Sequence, residues 1–244
     1  MSWLAVWLIG AAVADLTHSV RPMRVVPGVV GAMFAIGAGL AAGLTGGADL
    51  VAVLALACCV VLWDALVRRG FGTGRVGPPL LLWGGVLVVL LLLAGKASRV
   101  GAAVETWHEG SPLPWVSSVD ADLLLLGIGV LLAQLSTGNV LVRLVLTGTG
   151  TVNVAQGHDA GRTLKGGRLL GPMERLLIVG LGLAGQLTAA GLVIAAKGLL
   201  RWPEIQASRD SRDGPGVDEL TEYFLLGSFV SWLWALGGLV LLAA

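Results

Sequence analysis

Residues 50–67 read LVAVLALACCVVLWDALV, a run whose single charge, Asp64, stands near its end. An amphipathic helix of a soluble domain would bring polar residues round every three or four positions. A lipid-facing barrel strand would alternate apolar with polar residues. Neither pattern is present, and about 20 mainly apolar residues rising 1.5 Å each are what a helix needs to cross about 30 Å of hydrocarbon. The stretch therefore predicts a transmembrane helix.

Working outward, six more segments come close to the same length and character: 3–20, 25–44, 78–95, 123–146, 173–200 and 222–242. The expected fold is all-α, a polytopic transmembrane helical bundle of about seven spans, taken as one domain over residues 1–244. The apolar stretch that opens the first segment ends in Ala12-Val13-Ala14, which resembles a signal-peptide cleavage site, but it lacks the basic leading region and the segment is expected to stay as a helix. Composition agrees, with 56% of the 244 residues hydrophobic, 13% charged and a mean hydropathy of +0.86, against roughly 45–50% and about 25% in an ordinary soluble domain. A net charge of +1 leaves no excess of basic side chains to follow a phosphate backbone, so nucleic acid is not an expected partner.

Lys and Arg are retained on the cytoplasmic side of a membrane. With the N-terminus outside and the C-terminus inside, Arg21, Arg24, Arg68, Arg69, Arg75, Arg143, Arg162, Lys165 and Arg168 fall inside. Lys96, Arg99, Lys197, Arg201, Arg209 and Arg212 fall outside, partly offset by acids. Lys occurs only at 96, 165 and 197 among sixteen basic residues, a composition associated with GC-rich bacteria, so the expected location is a bacterial plasma membrane. Adjacent Cys58 and Cys59 cannot staple distant loops and are expected to pack inside. The loop 96–122, with Trp107 and Trp115, suits an interfacial flap.

Ionisable groups at membrane depth cost about 2.5–3.5 kcal/mol or more on insertion scales, so they are candidate functional residues by default. Asp15 and His18 lie three apart on one helix face. Asp64 precedes Arg68 and Arg69, and Glu174 with Arg175 follows Gly171-Pro172, a helix-start signal. In the expected topology all seven sit at the cytoplasmic boundary, as interface anchors or as a polar pocket for a cation, a lipid phosphate or a proton. On the other side, Lys197 and Arg201 are expected to pair with Glu222. Deeper in the bundle, Gln186 and Thr188 are expected to meet Ser228, Ser231 and Trp232 as a polar layer. Ser136-Thr137-Gly138-Asn139 interrupts the fifth span, and an ordinary helix end is expected there in preference to a broken helix. Gly39 with Gly43 and Gly180 with Ala184 form small-xxx-small pairs that allow close helix packing. Gly148-Thr149-Gly150 lacks the Gly-Lys-Ser/Thr ending of a phosphate loop.

The C-terminal third carries Gly167-Arg168-Leu169-Leu170-Gly171-Pro172-Met173-Glu174-Arg175-Leu176-Leu177-Ile178, then Ala184-Gly185-Gln186, Ala195-Ala196-Lys197, Arg201 and Glu222-Tyr223-Phe224-Leu225-Leu226-Gly227-Ser228. These blocks resemble the signature of a bacterial membrane family catalogued as domain of unknown function 3307. The resemblance implies a small polytopic membrane protein with no assigned activity and aligns Asp15 with an acid of that family's first helix. The His usual one turn earlier is Ala11 here. With no catalytic constellation, metal set or cofactor motif in view, the leading expectation is a helical subunit or membrane scaffold. Its partners would be membrane lipids, other membrane subunits or a second copy. A transporter or channel for an ion or small solute, and a membrane enzyme acting on a lipid or lipid phosphate, are the alternatives.

Overall fold

The structure, a computed structural model, describes residues 1–20, 23–112, 119–153, 158–159, 167–207 and 217–243. Arg21, Trp115, Arg162, Lys165, Arg209 and Arg212 lie outside the described residues, as do the side chains of Arg168 and Arg201. Ten α-helices follow in order among the described residues: α1 Ser2–Val20, α2 Val26–Ala41, α3 Gly47–Thr73, α4 Gly77–Leu92, α5 Ala102–Glu109, α6 Ala121–Leu135, α7 Thr137–Gly148, α8 Gly167–Leu183, α9 Leu187–Ala207 and α10 Val217–Ala243. Val152–Asn153 and His158–Asp159 pair as a two-residue antiparallel ribbon. Three helices are long and apolar enough to cross a membrane, Ser2–Val20, Gly47–Thr73 and Thr221–Ala243. Counting the bent pair α6 and α7 as one span would make four.

The chain divides into two compact units, residues 1–66 with 78–137 and residues 67–77 with 138–244. In the first, α1 is the central element and is buried along most of its length. Small residues bring its neighbours close. A Cβ on Gly31 would stand 2.5 Å from the Gly10 carbonyl oxygen and 2.7 Å from the Ala14 Cβ, and one on Gly10 would stand 2.8 Å from the Ala35 Cβ. The α1–α2 crossing therefore rests on Gly10-xxx-Ala14 against Gly31-xxx-Ala35, with the backbones nearly touching. Gly129 of α6 approaches Ala5 and Leu8 in the same way. Residue pairs 14–31 and 10–35 make α1 and α2 antiparallel.

Two indole hydrogen bonds set α3 parallel to α1: Trp3 donates to Asp49 at 2.8 Å near both helix starts, and Trp63 donates to Asp15 at 3.1 Å near the far end of α1. Trp83 of α4 joins the stack, its ring centroid 5.2 Å from that of Trp7 and 4.9 Å from that of Trp63.

The second unit corrects the expected sixth span. Residues 173–200 are not one helix but two antiparallel ones. The chain turns at Ala184-Gly185-Gln186, where Gly185 has φ +71°, and the Gln186 amide closes back on the Leu181 carbonyl at 2.8 Å. A Gly in the left-handed region with this bond is a helix-terminating cap. The helix also begins earlier than expected, at Gly167, leaving Pro172 inside it. Ile178 and Val179 of α8 pack on Ala235 of α10, with Ile194, Trp232 and Leu242 around them.

The fifth segment does not simply end at Ser136. The helix breaks there, bends by 45° and resumes. The Ser136 hydroxyl offers an alternative to the regular ladder, bonding the Leu132 carbonyl at 3.0 Å and the Ala12 carbonyl of α1 at 2.8 Å; such back-bonding is a known cause of helix bending. Of the small-residue pairs expected from sequence, Gly39 does pack, on Val53. Gly43, at φ 74°, ends α2 with the Leu44 amide on the Gly39 carbonyl, and Gly180 faces open space. Cys58 is exposed and Cys59 half-buried, contrary to expectation, because both fall on the outward side of α3.

Candidate functional site

The first unit holds three buried carboxylates, Asp49 at one end of α1 and Asp15 with Asp64 at the other. Asp49 opens α3, accepts from the Trp3 indole, and takes the Ser98 hydroxyl at 2.6 Å and the Ser98 amide at 3.3 Å. Ser2 completes this end by donating to the Ser98 carbonyl at 2.7 Å. Asp15 receives the Trp63 indole across both carboxylate oxygens, at 3.1 and 3.3 Å. The Thr137 hydroxyl neighbours the same carboxylate, yet makes no hydrogen bond of good geometry among the described residues. Asp64, also buried, lies close enough for its charge to act on Asp15 and packs against Gly28 at the start of α2. His18 does not bond Asp15, and its Nδ1 is buried without a hydrogen-bond partner among the described residues.

In the second unit, α8 and α9 face α10 with a compact charged cluster. Glu174 is 4% exposed and Arg175 1%. Glu174 Oε2 meets Lys197 Nζ at 2.5 Å, and its Oε1 accepts the Trp232 indole at 2.7 Å. Arg175 donates through Nη1 to Ser231 at 3.1 Å and through Nη2 to the Asn139 side-chain oxygen at 2.8 Å. A Cβ on Gly138 would stand 2.8 Å from Arg175 Nε and 2.8 Å from Trp234. The absence of a side chain at 138 is what lets the guanidinium lie against α7.

This arrangement corrects three expectations. Lys197 pairs with Glu174, not Glu222. The hairpin returns Lys197 to the level of Trp232, while Glu222 is exposed, nearly three turns back and roughly 15 Å along the α10 axis. Gln186 and Thr188 are exposed around the hairpin turn, so the polar layer is built without them: Ser228 and Ser231 are buried, and Ser231 and Trp232 engage Arg175 and Glu174. Glu174 and Arg175 do not open a span. They sit level with Trp232, the midpoint of the apolar segment Thr221–Ala243. Of the seven expected boundary residues, Asp15, His18 and Asp64 belong to the first unit and Arg68, Arg69, Glu174 and Arg175 to the second.

Asn139, Trp63 and Trp3 are site residues that sequence reasoning did not single out as partners. Their only advance signal is chemical: a Trp or Asn inside an apolar helix has a polar group to satisfy, and a buried acid or Arg needs such a group. Among the described residues no three His, Cys, Asp or Glu side chains come together as a metal set. Comparisons of the chain with protein-family models, with curated proteins and with solved structures find no match.

Proposed function

We propose that this chain is a multi-pass integral membrane protein of a bacterial plasma membrane that moves an ion or small solute through its helical bundle. The observation that carries the reading is the Glu174–Arg175–Lys197 cluster, buried level with the middle of an apolar helix. Ionisable groups at the centre of a membrane are expensive, and mark ion or substrate pathways when they face a bundle interior. Two features support it. Asn139, which holds Arg175, lies just past the break at Ser136, and discontinuous helices near the midplane are a recurring way to build solute sites. On α10 the polar side bears Ser228 and Ser231, whereas Leu225, Phe229, Leu233, Leu236 and Val240 point outward, the inside-out pattern suited to hydrocarbon.

That outward stripe also favours a second reading, a helical scaffold subunit whose apolar face meets a membrane partner or a second copy. The resemblance of residues 167–228 to a membrane family without assigned activity accords with either. Reconstitution in liposomes separates them. Currents or tracer flux for a panel of small ions and organic acids, lost in Arg175→Met while the protein stays folded, support transport. No flux, together with a defined protein co-purifying in fixed ratio, supports the scaffold.

A further inference from the structure

Among the described residues, Asp15 is a buried acid with no basic partner. The interactions acting on it are the Trp63 indole, the Thr137 hydroxyl and the charge of Asp64, which is a second anion; no Lys, Arg or His of the described residues is among them. One indole N–H shared between two oxygens leaves most of the carboxylate's lone pairs unused. A buried charge left this way is costly unless a counter-charge or proton joins it. Thr137 gives the independent sign of what that is. Its side chain is 0% exposed and its Oγ1 lies beside Asp15 with no hydrogen bond of good geometry. A hydroxyl oxygen orphaned next to a carboxylate presents two hard oxygen donors to one point. The helix breaks immediately before Thr137, where the Ser136 hydroxyl is occupied with the Leu132 and Ala12 carbonyls.

We propose that Asp15 and the Thr137 hydroxyl, beside the Ser136 break, form a binding site for a small monovalent cation. Oxygen donors of this type suit hard cations. With one carboxylate in contact and Asp64 acting only as a longer-range negative charge, a single positive charge matches the site better than two. The site lies wholly within the first unit and stands whether or not the second unit moves a solute.

The test is thermal unfolding of the full chain purified in detergent, in chloride salts of sodium, lithium or potassium against N-methylglucamine at equal ionic strength. Binding to the folded state raises Tm with the logarithm of concentration, by roughly 3–6 °C for each factor of ten above Kd. The expected result is such a rise for at least one alkali cation, weakened tenfold or more in apparent affinity in Thr137→Val and kept within about threefold in Thr137→Ser. Asp15→Asn is expected to abolish it, and if that variant does not fold, the comparison of Thr137→Val with Thr137→Ser decides. Equal Tm in all four salts overturns the proposal, since a bound proton then neutralises Asp15. A response confined to magnesium or calcium overturns it too, as does a Thr137→Val variant that responds like the parent.

Discussion

The two units bury charge in apolar surroundings by different means. In the first, two of the three buried acids are answered by a neutral indole, Asp49 by Trp3 and Asp15 by Trp63, with helices held together by glycine and alanine contacts that leave no room for a side chain. In the second, charge meets charge, Lys197 on Glu174, while Arg175 is gripped by the neutral acceptors Ser231 and Asn139. The first unit is a tightly packed frame in which Asp15 and Asp49 take neutral donors from neighbouring segments. The second is organised around its ions, so its register depends on them. A frame should fail through steric overlap and an ionic cluster through loss of one partner, and substitutions can test each.

The largest effect should come from the ionic cluster. Lys197→Met leaves Glu174 buried with the Trp232 indole alone, and breaking one side of a buried pair costs about 3–5 kcal/mol. Combining it with Glu174→Gln should recover most of that loss, which unfolding by denaturant in detergent micelles would show as a large coupling energy. If the double variant is no better than the single, the pair is not the organising contact.

Next comes the frame. Gly31→Val forces atoms into the Gly10 carbonyl, and overpacking of this kind costs about 1–3 kcal/mol or more. Gly180→Ala, with nothing within 4 Å of the added Cβ, should instead be neutral or stabilise by up to about 1 kcal/mol through helix propensity. Thermal midpoints of the two variants moving in the same direction would break the contrast.

Trp63→Phe keeps an aromatic ring near Trp83 but removes the donor to Asp15, at about 1–3 kcal/mol for an acceptor left unsatisfied. The loss should shrink when Asp15→Asn is introduced beside it, as a double-mutant cycle measures. The smallest effect belongs to Ser231→Ala, about 0.6 kcal/mol, the typical size of one interhelical hydrogen bond in a membrane bundle. A loss several times larger would mean that Ser231 orients Arg175 for more than packing.

Much of the helical content was legible from residues alone, because it depends on local and additive properties. Long apolar runs predict α1, α3 and α10, and Asp15, Asp64, Glu174 and Arg175 stand out against them as buried ionisable groups. The glycine contacts were legible in kind but not in place. Gly39-xxx-Gly43 and Gly10-xxx-Ala14 have the same spacing, yet Gly43 caps a helix and Gly10 packs one, a distinction that depends on what lies opposite. The hairpin was misread for a related reason. Leu181-Gly182-Leu183-Ala184-Gly185-Gln186 has no proline or charge to stop a helix, and a glycine within an apolar run marks a turn only when its backbone takes the left-handed region.

The apolar character of the helices and four of the buried charges, Asp15, Asp64, Glu174 and Arg175, were thus legible in the sequence itself, since each is a property of a short window, whereas Asp49, buried at the start of α3, was not singled out. Tertiary structure alone decided who partners whom: Lys197 with Glu174 in place of Glu222, Trp63 with Asp15, and the resumption of the helix after Ser136. Those outcomes depend on helix direction and register, and one turn at Gly185 reverses the direction of everything after it until the next turn.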